Sequence, residues 1–230
     1  VSPGIFEAFY QSPIQHPILL WVSNAIGTVW ALHELNLKAR TRPGSEAEIR
    51  SAQKFVLFWA LISALDAWAS ANEVFGIGVL SSPWSAIVPF LFVWLGDFRI
   101  FLGMESRMIG GAGAVPSRVP YLRAVGACFV VPILAGVLTR GQEARILFIV
   151  YEALFLFWIL LYARLTRLDQ SPAARAIRNL SLTFYTLWVL ADACILFLPQ
   201  EWKDLGFGIR VIPNFIYYGW FGWVYARSVQ

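Results

Sequence analysis

Two aspartates, Asp66 in "ISALDAWAS" (62–70) and Asp192 in "VLADACILF" (189–197), interrupt runs that are otherwise almost wholly apolar. A carboxylate in such a place can couple to a proton or a ligand, or hold helices together. The other polar groups inside apolar runs are few: Asn24, Asp97 and Arg99 in "WLGDFRIF" (94–101), Glu152, and Asn214. Residues two apart on a helix point about 200° from one another, so Asp97 and Arg99 cannot face the same neighbour. Arg99 therefore needs a carboxylate or carbonyls on another helix, or a hydrated cavity, with Asp66, Asp97, Glu152 and Asp192 as candidate partners. Aromatic side chains suited to lining such a cavity are Trp68 beside Asp66, and Tyr218, Phe221 and Tyr225 in "YYGWFGWVY" (217–225), where Gly219 and Gly222 permit close helix approach. These rings can stack on a ligand ring or a polyene; ordinary helix packing uses the same residues.

The elements that position these groups are membrane helices. The chain is 58% hydrophobic and 14% charged, with a mean hydropathy of +0.62, a balance with which a soluble globule could not cover its surface. Seven apolar segments approach the roughly 20 residues that a bilayer core requires, at about 16–37, 52–74, 85–106, 119–139, 144–166, 179–199 and 209–228. Thirteen basic residues fall on one side of these spans, among them Lys38, Arg42, Arg123, Arg164, Arg178 and Arg227, against four on the other, Arg140, Arg145, Lys203 and Arg210. The positive-inside rule then puts the N-terminus outside and the C-terminus in the cytoplasm. The net charge of +4 reports topology and anionic lipid, and nucleic-acid binding is not expected. Nothing basic precedes Lys38 and the first apolar stretch is as long as a full span, so no secretory signal is expected and the first span should be retained.

A repeat organises the spans. An offset of 126 residues aligns Lys38 with Arg164, Phe58 with Phe184, Leu61 with Leu187, and Asp66 with Asp192; an offset of 124 aligns Val88-Pro89 with Ile212-Pro213. Spans one to three thus resemble spans five to seven in the same orientation, as parallel repeats about an axis along the membrane normal. The expected architecture is all-α: an interfacial segment at 1–15, a three-helix repeat at 16–108, a linker and fourth helix at 109–142, and a second repeat at 143–230. Asn24 and Glu152 are near-equivalent in the repeat, whereas Asp97 and Arg99 correspond to Phe221 and Trp223. Sites in repeat proteins of this kind form near the bilayer middle where the halves meet, so each aspartate should face the other half or its own three-helix core.

Several chemistries find no support. Cys128 and Cys194 sit in spans and read as packing residues. His16 and His33, the only histidines, flank the first span about 25 Å apart at the helical rise and cannot share a metal. The Gly-rich piece "GGAGAVP" (110–116) follows a helix rather than a strand and reads as a cytoplasmic link. There is no Ser/His/Asp set, no acidic pair arranged for two metals, and no lysine within a span to hold retinal. The balance leans away from an enzyme, and no cofactor is required.

Two resemblances follow from these residues. The three-plus-one-plus-three layout is similar to the SWEET sugar transporters, but "PQ" occurs only at Pro199-Gln200, after the sixth span, so the likeness is architectural. "DAWASANEVFGIG" (66–78) with Pro89, and "DACILF" (192–197) with "GFGIRVIP" (206–213), resemble the repeats of membrane-type lycopene cyclases in their fused form. That resemblance implies an isoprenoid or carotenoid ligand and paired acidic residues after each proline. Here Pro89 leads into Phe90, Leu91 and Phe92, and Pro213 into Asn214, Phe215 and Ile216, so the acidic pairs are missing and shared ancestry would not imply shared activity.

The sequence therefore points first to binding or transport of a small organic molecule in an intramembrane cavity, coupled to protons through the aspartates. The alternatives are an intramembrane enzyme or pigment-binding protein acting on an isoprenoid-like lipid, with Asp97 or Glu152 as acid, and a non-catalytic subunit or receptor within a homo-oligomer or membrane complex.

Overall fold

A computed structural model describes residues 4–12, 14–70, 84–106, 118–142 and 144–229, and among these it is helical with no strand. A short helix α1 (Ile5–Tyr10) is followed by a π-helical run, Ile14–Leu19, that leads directly into α2 (Leu20–Thr41). Six more long helices follow: α3 (Glu46–Ser70), α4 (Trp84–Ser106), α5 (Arg118–Leu138), α6 (Ala144–Leu165), α7 (Pro172–Phe197) and α8 (Gln200–Ser228). Each of the seven apolar segments of the sequence falls largely within one of these helices, and residues 71–74 of the second lie outside the described residues. Four of them are long and apolar enough to cross a membrane: the stretches Pro17–Thr41, Val119–Leu138, Arg145–Leu165 and Pro172–Phe197. The Gly-rich piece at 110–116 and residues 71–83, which hold most of "DAWASANEVFGIG", lie outside the described residues.

Local chemistry sets the ends. The α7 start combines Pro172 at the first helical position with Ser171, whose hydroxyl accepts from Ala174 N at 3.2 Å. At its far end α2 stops before Pro43-Gly44, where Gly44 takes a φ of 91° open to glycine at no steric cost.

Each long helix packs against its neighbours in sequence, and α8 closes a ring by packing against α2. Across the interior α4 reaches α7 and α3 reaches α8. The α2–α8 seam is close: a Cβ at Gly27 would fall 1.6 Å from the Gly219 carbonyl oxygen, so glycine is what lets the two backbones meet. Ser23 fixes the same seam by donating to Phe215 O at 2.8 Å.

The distribution of side chains is turned inside out relative to a soluble bundle. Leu61, Leu122, Ile133, Val137, Phe157 and Leu165 face outward, while Asn24, Asp97, Arg99, Glu105, Glu152, Asp192 and Asn214 are buried. That is the arrangement hydrocarbon favours: apolar surface costs nothing against lipid, whereas a charge there costs about 2.5–3.5 kcal/mol on insertion scales. The interior is therefore where the chain keeps its chemistry.

Candidate functional site

The α1 end of the bundle holds a buried ion cluster. Asp192 on α7, with 0% exposure, accepts from Arg210 on α8 and from Arg145 on α6 at 3.0 Å. Arg210 also lies 3.8 Å from Glu152 of α6 and donates through Nε to Tyr10 of α1 at 2.9 Å. Two guanidiniums and two carboxylates thus neutralise one another where neither sign alone could be buried cheaply. One oxygen of each carboxylate, Glu152 Oε2 and Asp192 Oδ2, is buried without a hydrogen-bond partner. Arg145 and Arg210 count as outer-side basic residues when sequence orientation is read; their place in this cluster emerges only from the packing. Arg210 sits ten residues into α8, roughly 15 Å from its start, which is depth rather than loop.

Directly beneath lies a cavity of about 190 Å³. Its polar walls are Asp66 of α3, Glu152 of α6, and Arg210 and Asn214 of α8. Its aromatic walls are Tyr10, Phe148, Tyr151, Tyr185, Trp188, Tyr217 and Tyr218, with Leu20 and Val93 completing it. Most of the polar tips of these rings are already engaged. Tyr218 donates to Asp66 at 2.6 Å, Trp188 Nε1 donates to Asn214 Oδ1 at 2.9 Å, and Tyr151 and Tyr185 both donate to Asp97. The helical period explains how α8 reaches so much of the cavity: Arg210, Asn214, Tyr217 and Tyr218 recur at steps of four, three and one and so share one face.

One layer deeper, Asp97 and Arg99 separate as their spacing requires. Asp97 turns to α6 and α7 and is held by the hydroxyls of Tyr151 and Tyr185. Arg99 turns to α3 and α8, donating to Ser63 Oγ at 3.0 Å and Tyr217 O at 3.3 Å. Its guanidinium lies 4.4 Å from the ring centres of both Tyr217 and Phe221, whose faces supply the negative charge density that a carboxylate would otherwise provide. Of the options the sequence left open for Arg99, its hydrogen-bond acceptors include a carbonyl, Tyr217 O, and a hydroxyl, Ser63 Oγ. Phe101, Phe155 and Tyr162 then close the interior, and Glu105 beyond them is bound by Tyr162 and by Arg123 at 2.7 Å.

The residues singled out in the sequence divide accordingly. Asp66, Glu152, Asn214 and Tyr218 line the main cavity; Asp97, Arg99 and Asp192 bind groups that line it. Asn24 and Phe221 border a narrower crevice beside Arg99, where Asn24 Nδ2 donates to Ala60 O at 2.8 Å. Trp68 is 39% exposed on the outer face of α3, and Tyr225 stacks on Phe55 at 4.1 Å, so neither borders the main cavity. The two aspartates are not used alike, Asp66 binding a tyrosine and Asp192 two arginines. Among the described residues no cluster of His, Cys, Asp and Glu suits a metal ion. The chain matches no family profile, no curated protein and no solved structure with which it was compared.

Proposed function

We propose that this is a multi-pass protein of the cell membrane, crossing seven times with its N-terminus outside, that binds or transports a small organic molecule in the cavity beneath the Arg210 cluster. The observation that carries the reading is that cavity itself: about 190 Å³, walled by aromatic rings, with two carboxylates, a guanidinium and an amide converging on it from α3, α6 and α8. A few polar groups set into an aromatic pocket between helices are what small-molecule recognition requires. Asp66 and Asp192 occupy corresponding places in the two three-helix repeats, and their protonation couples to ligand movement as one repeat rocks against the other. The orientation is supported by Lys38 and Arg42, which meet the C-terminal end of α8 at the end opposite α1.

The test is an uptake screen in proteoliposomes under a pH gradient, using a panel of radiolabelled small organic solutes and a trapped pH dye. Asp66→Asn and Asp192→Asn should fold and insert but lose uptake or binding, and wild-type function in both would contradict the reading.

A second reading has one observation in its favour. Asp97, 1% exposed and held by two tyrosines that line the aromatic cavity, supports a role as acid beside rings able to stabilise a developing carbocation, the chemistry that the likeness to lycopene cyclases implies. An isoprenoid substrate that the pure protein converts, with loss of conversion in Asp97→Asn, would favour it over transport.

A further inference from the structure

We infer that the molecule held in this cavity is a small organic cation, an amine whose ammonium group is seated on Glu152 and Asp66 and enclosed by aromatic faces. The inference rests on the reading of the cavity as a ligand site and adds the chemical class of the ligand. Three observations converge on it.

The first is what hydrogen-bonding capacity remains. The indole N–H of Trp188 and the hydroxyls of Tyr151, Tyr185 and Tyr218 are donated to Asn214, Asp97 and Asp66. Arg210 is committed to Asp192, Glu152 and Tyr10. Glu152 is 5% exposed, lines the cavity, and keeps Oε2 buried with no partner. A buried acceptor left unmade costs about 1–3 kcal/mol and more when charged, so a donor from the ligand is what Glu152 lacks.

The second is charge. The lining itself holds two carboxylates, Asp66 and Glu152, against one guanidinium, Arg210, a balance of side chains that suits a cationic ligand better than an anionic one.

The third is the wall itself. With their polar tips tied to protein partners, Tyr151, Tyr185, Trp188 and Tyr218 line the cavity with aromatic rings, and such rings attract cations through their electron-rich faces, most where water is excluded. A space of about 190 Å³ corresponds to roughly six waters at about 30 Å³ each, which suits a small alkylammonium or a single-ring arylalkylamine.

The experiment uses the full chain in lipid nanodiscs and three probes of one shape and different charge: 2-phenylethylamine, 2-phenylethanol and phenylacetate, measured by equilibrium dialysis. The amine should bind about tenfold tighter than the alcohol, with phenylacetate weakest, and Glu152→Gln should reduce the ratio of amine to alcohol affinity toward unity. Alcohol or phenylacetate binding as tightly as the amine overturns the cation assignment and leaves the binding cavity standing. Binding of none of the three at millimolar concentration overturns both. The comparison of probes on the unmutated protein does not depend on any variant folding.

Discussion

Arg210 is the residue whose removal should disturb the molecule most. Its side chain is 15% exposed, and the carboxylates it serves, Asp192 and Glu152, are 0% and 6% exposed, so neither can turn to solvent when the guanidinium is gone. In Arg210→Met the two carboxylates are left with Arg145, which is 35% exposed and 3.0 Å from Asp192. Removing one partner of a buried pair costs about 3–5 kcal/mol. Tyr10 loses its hydrogen bond from Arg210 as well, one of the contacts that hold α1. For a chain of this length each kcal/mol is worth about 2–4 °C in Tm, so a fall of roughly 6–20 °C is expected in a thermal unfolding assay on detergent-solubilised protein. Restoring charge balance should restore stability: Asp192→Leu added to Arg210→Met leaves Arg145 facing Glu152 and should recover about 2 kcal/mol relative to the sum of the two single changes. An Arg210→Met protein melting within about 2 °C of wild type, or a double variant showing simple additivity, would refute the claim that this cluster is a mutually dependent buried unit.

Other outcomes follow from the same structure. Gly27→Ala should push α2 and α8 apart and destabilise by about 1–3 kcal/mol or more, because the added methyl meets the Gly219 backbone, which cannot yield as a side chain would. Gly126→Ala, with nothing within 4 Å on α5, should instead be neutral or stabilising by up to about 1 kcal/mol, and the two can be compared by the same unfolding assay. Lys38→Met should loosen the end of α8, since the ammonium donates to the carbonyls of Ala226 at 3.1 Å, Arg227 at 2.8 Å and Val229 at 2.6 Å; hydrogen exchange should rise in the last turn and stability fall by about 2 kcal/mol. Unchanged protection there would remove Lys38 as the fastener of that end.

How far the sequence can be read depends on which physical signal carries each feature. Hydropathy marks the positions of all seven long helices, but α3 begins at Glu46 and α8 at Gln200, well before the apolar stretches at 52 and 209, since the polar first turns are helical without being apolar. The two-residue spacing of Asp97 and Arg99 correctly implies that they serve opposite neighbours. Their partners were hidden, because a tyrosine pair on α6 and α7, or two ring faces on α8, leave no trace in local pattern. Arg145 and Arg210 were misleading for a different reason: near a span's end an arginine counts toward orientation, and only the bundle shows that it turns inward to Asp192. A usable signal did exist in α8, where Arg210, Asn214, Tyr217 and Phe221 mark one helical face. Glu105 and Arg123 were missed too, their ion pair joining helices eighteen positions apart in the chain. The alignment of Asp66 with Asp192 made the two look alike, yet packing gives them a tyrosine and two arginines as partners.

The most direct test of the central claim compares what wild-type protein and Asn214→Trp, whose indole would fill the cavity, each retain when extracted gently from membranes and analysed by native mass spectrometry and absorbance. A small organic species held by the wild type and lost from the variant, with both equally folded, is the expected result. Identical spectra from the two proteins, including two empty ones, would contradict a ligand site between α3, α6 and α8.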